Sequence, residues 1–411
     1  VTAGSSSTPQ QNLKSIAMQS LRQPPLAGKT RRGLTTPVVA IALVLAMAGL
    51  ALILDRLWLE AAQLELTTAA EAVALATARQ VASDDLLRQD ITDSERLGAA
   101  RQTAQEISSA NRIAGEPPVF DSEGDDLQFG NYITDEAGTT FEPDNAQPSI
   151  TRVTLHRSRA RNNPVALFIG ELTGVPFGDV VRQADACVDN QISAVRPVGD
   201  APVPALPLAI WKVDPTGERR DTWQVQIDQR RGKDDYAYDT ESHAVIRGSD
   251  GIPEITVISL ARNGRPETCN LQLVDVGTNF DEEKLRQQIQ SGWTAENLES
   301  FGGQFSAAGG ITLNSTAQLL NSERDELEQI LGQPRICLLF SQSTPGTEVP
   351  FTVTKCVELI AVRVMSVTDQ PDGACAIVLQ PTVLATRSAV TGAGSTTQLA
   401  NKYIYNLQLT N

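Results

Sequence analysis

The sequence predicts an α+β protein: a single N-terminal transmembrane helix that continues into an Ala-rich helix, followed by a β-rich ectodomain with a few helices. Three observations carry that expectation. Residues 33–54, GLTTPVVAIALVLAMAGLALIL, contain no charged side chain. Residues 57–82 contain neither Gly nor Pro and are rich in Ala, Leu and Glu, all good helix formers. Beyond Gly115 the apolar residues change from helical spacing to alternation, with Gly, Pro, Asp and Asn clusters between the runs.

The leader, 1–32, carries five basic residues, including Lys14, Lys29 and the pair Arg31-Arg32, and no acid. At an α-helical rise the run 33–54 is long enough to cross a bilayer core, and a basic flank of this kind predicts a cytoplasmic N-terminus. A cleaved signal peptide is the competing expectation. Its apolar core is shorter, about 7–15 residues, and a small-residue cleavage site follows it. Here Ala46-Met47-Ala48 lies inside the apolar run and Asp55-Arg56-Leu57-Trp58 follows it, which favours a retained anchor. Pro37 falls in the first turn, where its missing N–H costs nothing, and Trp58 suits a membrane interface. The expected partition is therefore a leader (1–32), a transmembrane helix (33–54), an extramembrane helical region (55–115) and a β-rich ectodomain (116–411). The ectodomain has room for two subdomains divided near 190–220.

The chain carries a net charge of −15, and the basic leader leaves about −20 on residues 55–411. That acidity favours solubility and excludes nucleic acid as an expected partner. In the helical region Leu59, Leu66 and Val73 alternate with Ala62, Ala69 and Ala76 in a heptad a/d pattern, and the small residues would let a second helix approach closely. The same stripe suits a helix packed on its own domain. A polar break at Ser83-Asp84-Asp85 ends it. Thr92 and Glu95 are spaced as a capping box opening a second helix, with Leu97, Ala100, Ala104 and Ile107 on one face and Gly115 with Pro117 as its stop.

Strands are expected at 127–133, 150–157, 164–169, 181–186, 222–228, 255–260, 271–276, 335–341, 351–367 and 376–385. Two late helices are expected, one capped by Asn279 with Glu282 and ending at Gly292, the other running from Ser322 to Leu331. No alternating βαβ pattern is present.

Five cysteines (187, 269, 337, 356 and 375) and two histidines (156 and 243) occur, without a CxxC pair, so zinc is not expected. In an oxidising compartment some thiols would pair. Strands at 335–341 and from Phe351 flank the loop SQSTPGTEVP, and pairing about its centre places Cys337 near Cys356, a candidate disulfide. A hydrolase would need a positioned base. His156 lies in a strand pattern, His243 follows an acidic loop, and no Gly-x-Ser-x-Gly elbow occurs. The carboxylates Asp121, Glu123, Asp125 and Asp126 do not match a calcium loop, and Gly302-Gly303 and Gly309-Gly310 lack a phosphate loop's lysine. No catalytic residue, cofactor or metal is expected.

The order of several segments resembles a known family. Arg31-Arg32-Gly33, one apolar span, Leu54-Asp55-Arg56-Leu57-Trp58-Leu59, Gln63-Leu64-Glu65 and AAEAVALA (69–76) are similar to the N-terminal module of TadG-like (TadE/TadG) proteins of the tight-adherence (Flp) pilus assembly system. DLQFGNYI (126–133), TFEP (140–143), ITRVTLHRS (150–158), NPVALFIGELTGV (163–175) and AVRPVGDAPVPALPLAI (194–210) continue the likeness. So do CNLQLVDVG (269–277), GQPRICLLF (332–340), AVRVMSV (361–367) and VLQPTV (378–383). Val38 stands where related minor pilins carry a glutamate, and the Asp-x-Ser-x-Ser motif of a von Willebrand A domain does not occur. The resemblance implies a single-pass protein of the bacterial inner membrane, its ectodomain periplasmic or extracellular, that contacts the lipid bilayer and other pilus-assembly or envelope proteins. It implies no catalysis. A membrane-tethered surface adhesin or ligand-binding protein independent of any pilus is the alternative.

Overall fold

The computed structural model describes residues 35–135, 138–170, 174–261, 264–347, 350–392 and 400–410. The expected basic leader and the first two residues of the expected span lie outside them. The chain divides into two compact units, Val1–Leu54 and Asp55–Asn411. In the first unit, residues 35–54 are helical, and the side chains of 36–54 are exposed almost throughout. One helix in the described chain is long and apolar enough to cross a membrane.

That helix, α1, runs over Thr35–Val81. A 3₁₀ turn at Asp84–Leu87 follows the polar break, then α2 (Asp93–Ala110). The expected capping box forms: Glu95 N–H donates to Thr92 Oγ1 (3.3 Å) and Thr92 N–H to Glu95 Oε2 (2.8 Å). The helix stops at Asn111, short of Gly115, because the Asn111 side chain turns back to donate to the carbonyl of Ile107 at 2.7 Å.

Strands then follow as β1 (Leu127–Asp135), β2 (Gly138–Pro143), β3 (Ile150–Arg157), β4 (Val165–Ala166), β5 (Phe177–Gly178), β6 (Val180–Asp189) and β7 (Ile192–Val195). Next come β8 (Ala205–Trp211), β9 (Tyr236–Asp239), β10 (Ala244–Arg247), β11 (Ile255–Ile258), β12 (Leu271–Val274), α3 (Glu282–Ser291), β13 (Ile311–Thr316) and α4 (Asn321–Gln329). The chain closes with β14 (Pro334–Pro345), β15 (Phe351–Asp369), β16 (Cys375–Pro381), β17 (Leu384–Thr386), β18 (Ala389–Thr391) and β19 (Ile404–Thr410). The second unit is thus a β-rich region with a few helices, and the fold is α+β.

A six-stranded sheet has the order β17-β19-β6-β3-β1-β2. Its strand β3 alternates buried Val153 and Leu155 with half-buried Arg152, Thr154 and His156, the period-2 signature of a sheet covered on one face. The cover is α1 and α2: Leu66, Ala69, Ala70, Val73, Leu97, Ala100 and Ala104 share one core with Val153, Leu155, Val180 and Ala186.

A second sheet has the order β11-β16-β15-β13-β12-β8-β14, and β14 also pairs with β15, so β15, β13, β12, β8 and β14 close into a ring. Closure leaves no free edge within that ring, while β16 and β11 extend the sheet outside it with β11 as the outer strand. The strand β8 is parallel to β14 and buried over all but its last residue, which requires apolar side chains on both faces rather than alternation. It is not among the expected strands, and its Pro207 cannot donate to a ladder. The structure accommodates it where donors are not needed: the β12 pairing begins at Leu208, and the β14 register shifts between Ile336 and Leu338.

Other elements depart from expectation as well. Residues 224–228 form a π-helical turn, with Gln229 N–H donating to the carbonyl of Gln224 at 2.9 Å. The alternation of Trp223, Val225 and Ile227 suggested a strand, yet the two most deeply buried of these are Trp223 and Ile227, four apart on one helical face. Asn279 does not cap α3: it and Phe280 have φ of 53° and 56°, and the Asp281 carboxylate accepts from Lys284 N–H at 3.0 Å. The helix does end at Gly292, where φ is 99° and a Cβ would lie 1.9 Å from the Val203 carbonyl oxygen.

Candidate functional site

The heptad stripe of α1 is the first candidate surface, and the chain itself covers it. Ala62, Leu66, Ala69 and Val73 are buried, while Leu59 and Ala76 are half-buried. Leu59 lies against Gly178 of β5, where a Cβ would come within 2.4 Å of its Cδ2. The face offered for helix association is therefore filled within the protomer, which corrects that expectation. The small residues allow close approach as anticipated, but what approaches is α2 and the six-stranded sheet, both tethered to α1 and so present at a far higher effective concentration than a second chain.

The candidate disulfide is corrected too. All five thiols are free, and Cys337, Cys356 and Cys375 are buried. Cys337 stands opposite Ile360, and Cys356 opposite Phe340. The strand β14 does not stop at Ser341 but continues to Pro345, which pairs with Thr352. The turn is consequently tighter and centred further along the chain than the loop SQSTPGTEVP implied, and residues 348 and 349 of it lie outside the described residues. Burial pushes the Cys356 thiol up to about 12 and those of Cys187 and Cys269 up to about 11, and raises Cys337 and Cys375 as well. Thiolates, the reactive form, are accordingly scarce near neutral pH.

Among the described residues, one histidine meets a carboxylate and the other a tyrosine hydroxyl. His156 Nε2 is 3.0 Å from Asp126 Oδ1, an oxygen that also accepts from Arg161 at 2.8 Å. Asp126 is buried and accepts from Asp121 N–H at 2.9 Å, so the group pins the turn at 121–126 onto β3. Asp121 accepts from the amides of Glu123 and Gly124, at 3.2 and 3.0 Å, and so closes that turn. His243 sits at φ 53°, exposed, with Tyr238 Oη 3.4 Å from its Nδ1. Among the described residues, no group of three or more His, Cys, Asp or Glu is arranged to hold a metal ion.

Sequence reasoning missed three carboxylates that the fold holds with hydrogen bonds from distant parts of the chain, of which Glu254 and Asp185 are buried and Asp84 is half-buried. Glu254, 3% exposed, accepts from Tyr236 N–H at 2.7 Å, and burial pushes its carboxyl up to about 7. Asp185 accepts a bidentate pair from Arg152 and a hydrogen bond from Tyr132, and its carboxyl is held below the ordinary range by those donors against an opposing burial cost. Asp84 accepts from Arg363, Thr382 Oγ1 and Val383 N–H, at 3.0, 2.7 and 2.6 Å. Their signal in the sequence was only an acidic residue beside a turn or in a strand.

An open groove of about 740 Å³ is lined by Asp275, Asn279, Glu296, Glu299, Phe301 and Val353 among others. Two of its carboxylates are engaged: Asp275 Oδ1 accepts from Thr278 and Asn279 amides at 2.9 and 2.8 Å, and Glu296 meets Lys284 Nζ at 3.3 Å.

The class defined by these features is an α+β protein in which one apolar helix, long enough to cross a membrane, precedes a β-rich unit with a few helices. Comparison with protein-family models, with curated proteins and with solved structures finds no match.

Proposed function

We propose that this chain is a membrane-anchored structural or assembly component of a bacterial tight-adherence (Flp) pilus system, related to the TadG-like proteins and acting through protein contacts rather than catalysis. The observation that carries the anchor is the exposure of apolar side chains on every side of α1 from 36 to 54, with Asp55 as the first charge after them. A helix apolar all round needs an apolar solvent, and these 19 residues at about 1.5 Å each come close to the thickness of a bilayer core. The basic leader favours a cytoplasmic N-terminus, leaving residues after Asp55 on the periplasmic or extracellular side of the inner membrane. Pilus assembly itself is supported by the order of family-like segments along the chain.

Protease added to spheroplasts should degrade the chain beyond Asp55 and spare the leader, with the protein resisting carbonate extraction. A soluble form beginning between residues 49 and 60 would show a signal peptide instead. In-frame deletion should abolish surface pili while pilin is still made. Normal pili with loss of attachment to a surface ligand would favour the tethered adhesin.

A further inference from the structure

The strands β4 and β5 form a short hairpin beside the start of the second unit, with Val165 paired to Gly178 and Ala166 to Phe177. Leu167 N–H donates to the Pro176 carbonyl at 3.0 Å, and Val175 N–H to the Gly170 carbonyl at 2.9 Å, which extends the hairpin outward. It is tied to α1 at two places. Phe168 N–H donates to Asp55 Oδ1 at 2.7 Å, and the Phe168 ring packs on Trp58 at 5.4 Å between centroids. Gly178 rests on Leu59.

Val165 is buried, but despite these ties three of the hairpin's large apolar side chains face outward. Phe168 is 69% exposed, Val175 52% and Phe177 42%, beside Leu57 at 54%. From Pro164 to Gly178 the only ionisable residue is Glu171, which lies outside the described residues. Charges that border the hairpin are paired: Arg159 with Asp179 at 2.8 Å and Arg56 with Glu60 at 3.0 Å. Large side chains clustered in this way mark a contact surface rather than ordinary scatter. Their position selects the occupant, because Asp55, to which the hairpin is bonded, directly follows the apolar span in sequence, and aromatic residues concentrate at the level where a span meets water.

We propose that this hairpin is a second membrane-contacting element, seating Phe168, Val175 and Phe177 in the headgroup and acyl boundary of the leaflet that the helix leaves at Asp55. The proposal rests on the anchor reading above. Such a contact would hold the ectodomain against the bilayer at two points instead of letting it pivot on one helix, in the manner of interfacial apolar segments.

The test uses the full chain in vesicles of phosphatidylethanolamine and phosphatidylglycerol, with p-benzoylphenylalanine introduced singly in place of Leu45, Phe168, Phe177 or Ile246. All four positions are exposed, so the photoreactive ring replaces a solvent-facing side chain. After illumination, lipid adducts are expected at 45, 168 and 177 and not at 246. Adducts at 45 with none at 168 and 177 would overturn the proposal and leave the anchor standing, and protein crosslinks at 168 would assign the patch to a protein partner. Absence of lipid adducts at 45 would overturn the anchor and this proposal together. Equal labelling at 246 would show non-specific capture and would also overturn it.

Discussion

Glu254 shows how burial gives one carboxyl group a measurable effect. Its surroundings, including Asp234 and Asp235, disfavour the charged form, so the folded protein holds a proton between the ordinary value of 4.5 and about 7 that the unfolded chain has released. The folded state then binds more protons than the unfolded state, and the stability from this group, full below about 4.5, declines as pH rises through about 7. Glu254→Gln removes the titration. The urea midpoint of the parent minus that of the variant should fall steadily between about pH 5 and 7, and a difference that stays flat over that window would contradict the assignment. Pro253-Glu254-Ile255 reads in sequence as a turn leading into a strand. The amide of Tyr236 that makes the carboxylate structural comes from a hairpin 18 residues away, so no local pattern announces it.

At the scale of elements, what the covered face of α1 does can be measured at Ala69. Leucine there has no room, since the position is 2% exposed among α2 and the sheet, and overpacking of this kind costs about 1–3 kcal/mol. Ala69→Leu should lower the melting temperature and leave crosslinked self-association unchanged. Weaker self-association at an unchanged melting temperature would return the face to an intermolecular role. Elements whose signals are short-range were legible: the capping box of α2 and the alternation of β3 involve residues within a turn or a strand of one another. The strand β8 and the turn at 224–228 were not. In both, burial on two faces or at helical spacing is imposed by neighbours distant in the chain.

Over the whole second unit, Asp84 has a place that no single element explains. It lies in the turn after α1 and holds Arg363 of β15 together with Thr382 and Val383, where the chain passes from the seven-stranded sheet to the six-stranded one. Asp84→Ala leaves the Val383 amide without its acceptor and Arg363 without its counter-charge. A loss of about 2 kcal/mol is expected from charge-assisted hydrogen bonds of this kind. Because Asp55–Asn411 is one compact unit, unfolding of the variant should remain a single transition by fluorescence and circular dichroism. Two separated transitions would show that the sheets unfold independently.

The sequence by itself determined the apolar helix, its continuation past Asp55, the capping box at Thr92 and Glu95, and nine of the nineteen strands found among the described residues. Each depends on composition or periodicity within a few turns of chain. Only the tertiary structure decided what lies against the Ala62, Ala69 and Val73 face, which residues stand opposite Cys337 and Cys356, where Pro207 can sit inside a closed ring, and which carboxylates are buried. Those outcomes follow from strand register and from which apolar surfaces meet. A shift of three or four residues in the β14–β15 hairpin changes every partner while leaving the hydrophobic pattern of either strand almost the same, so only packing of the whole chain selects among the alternatives.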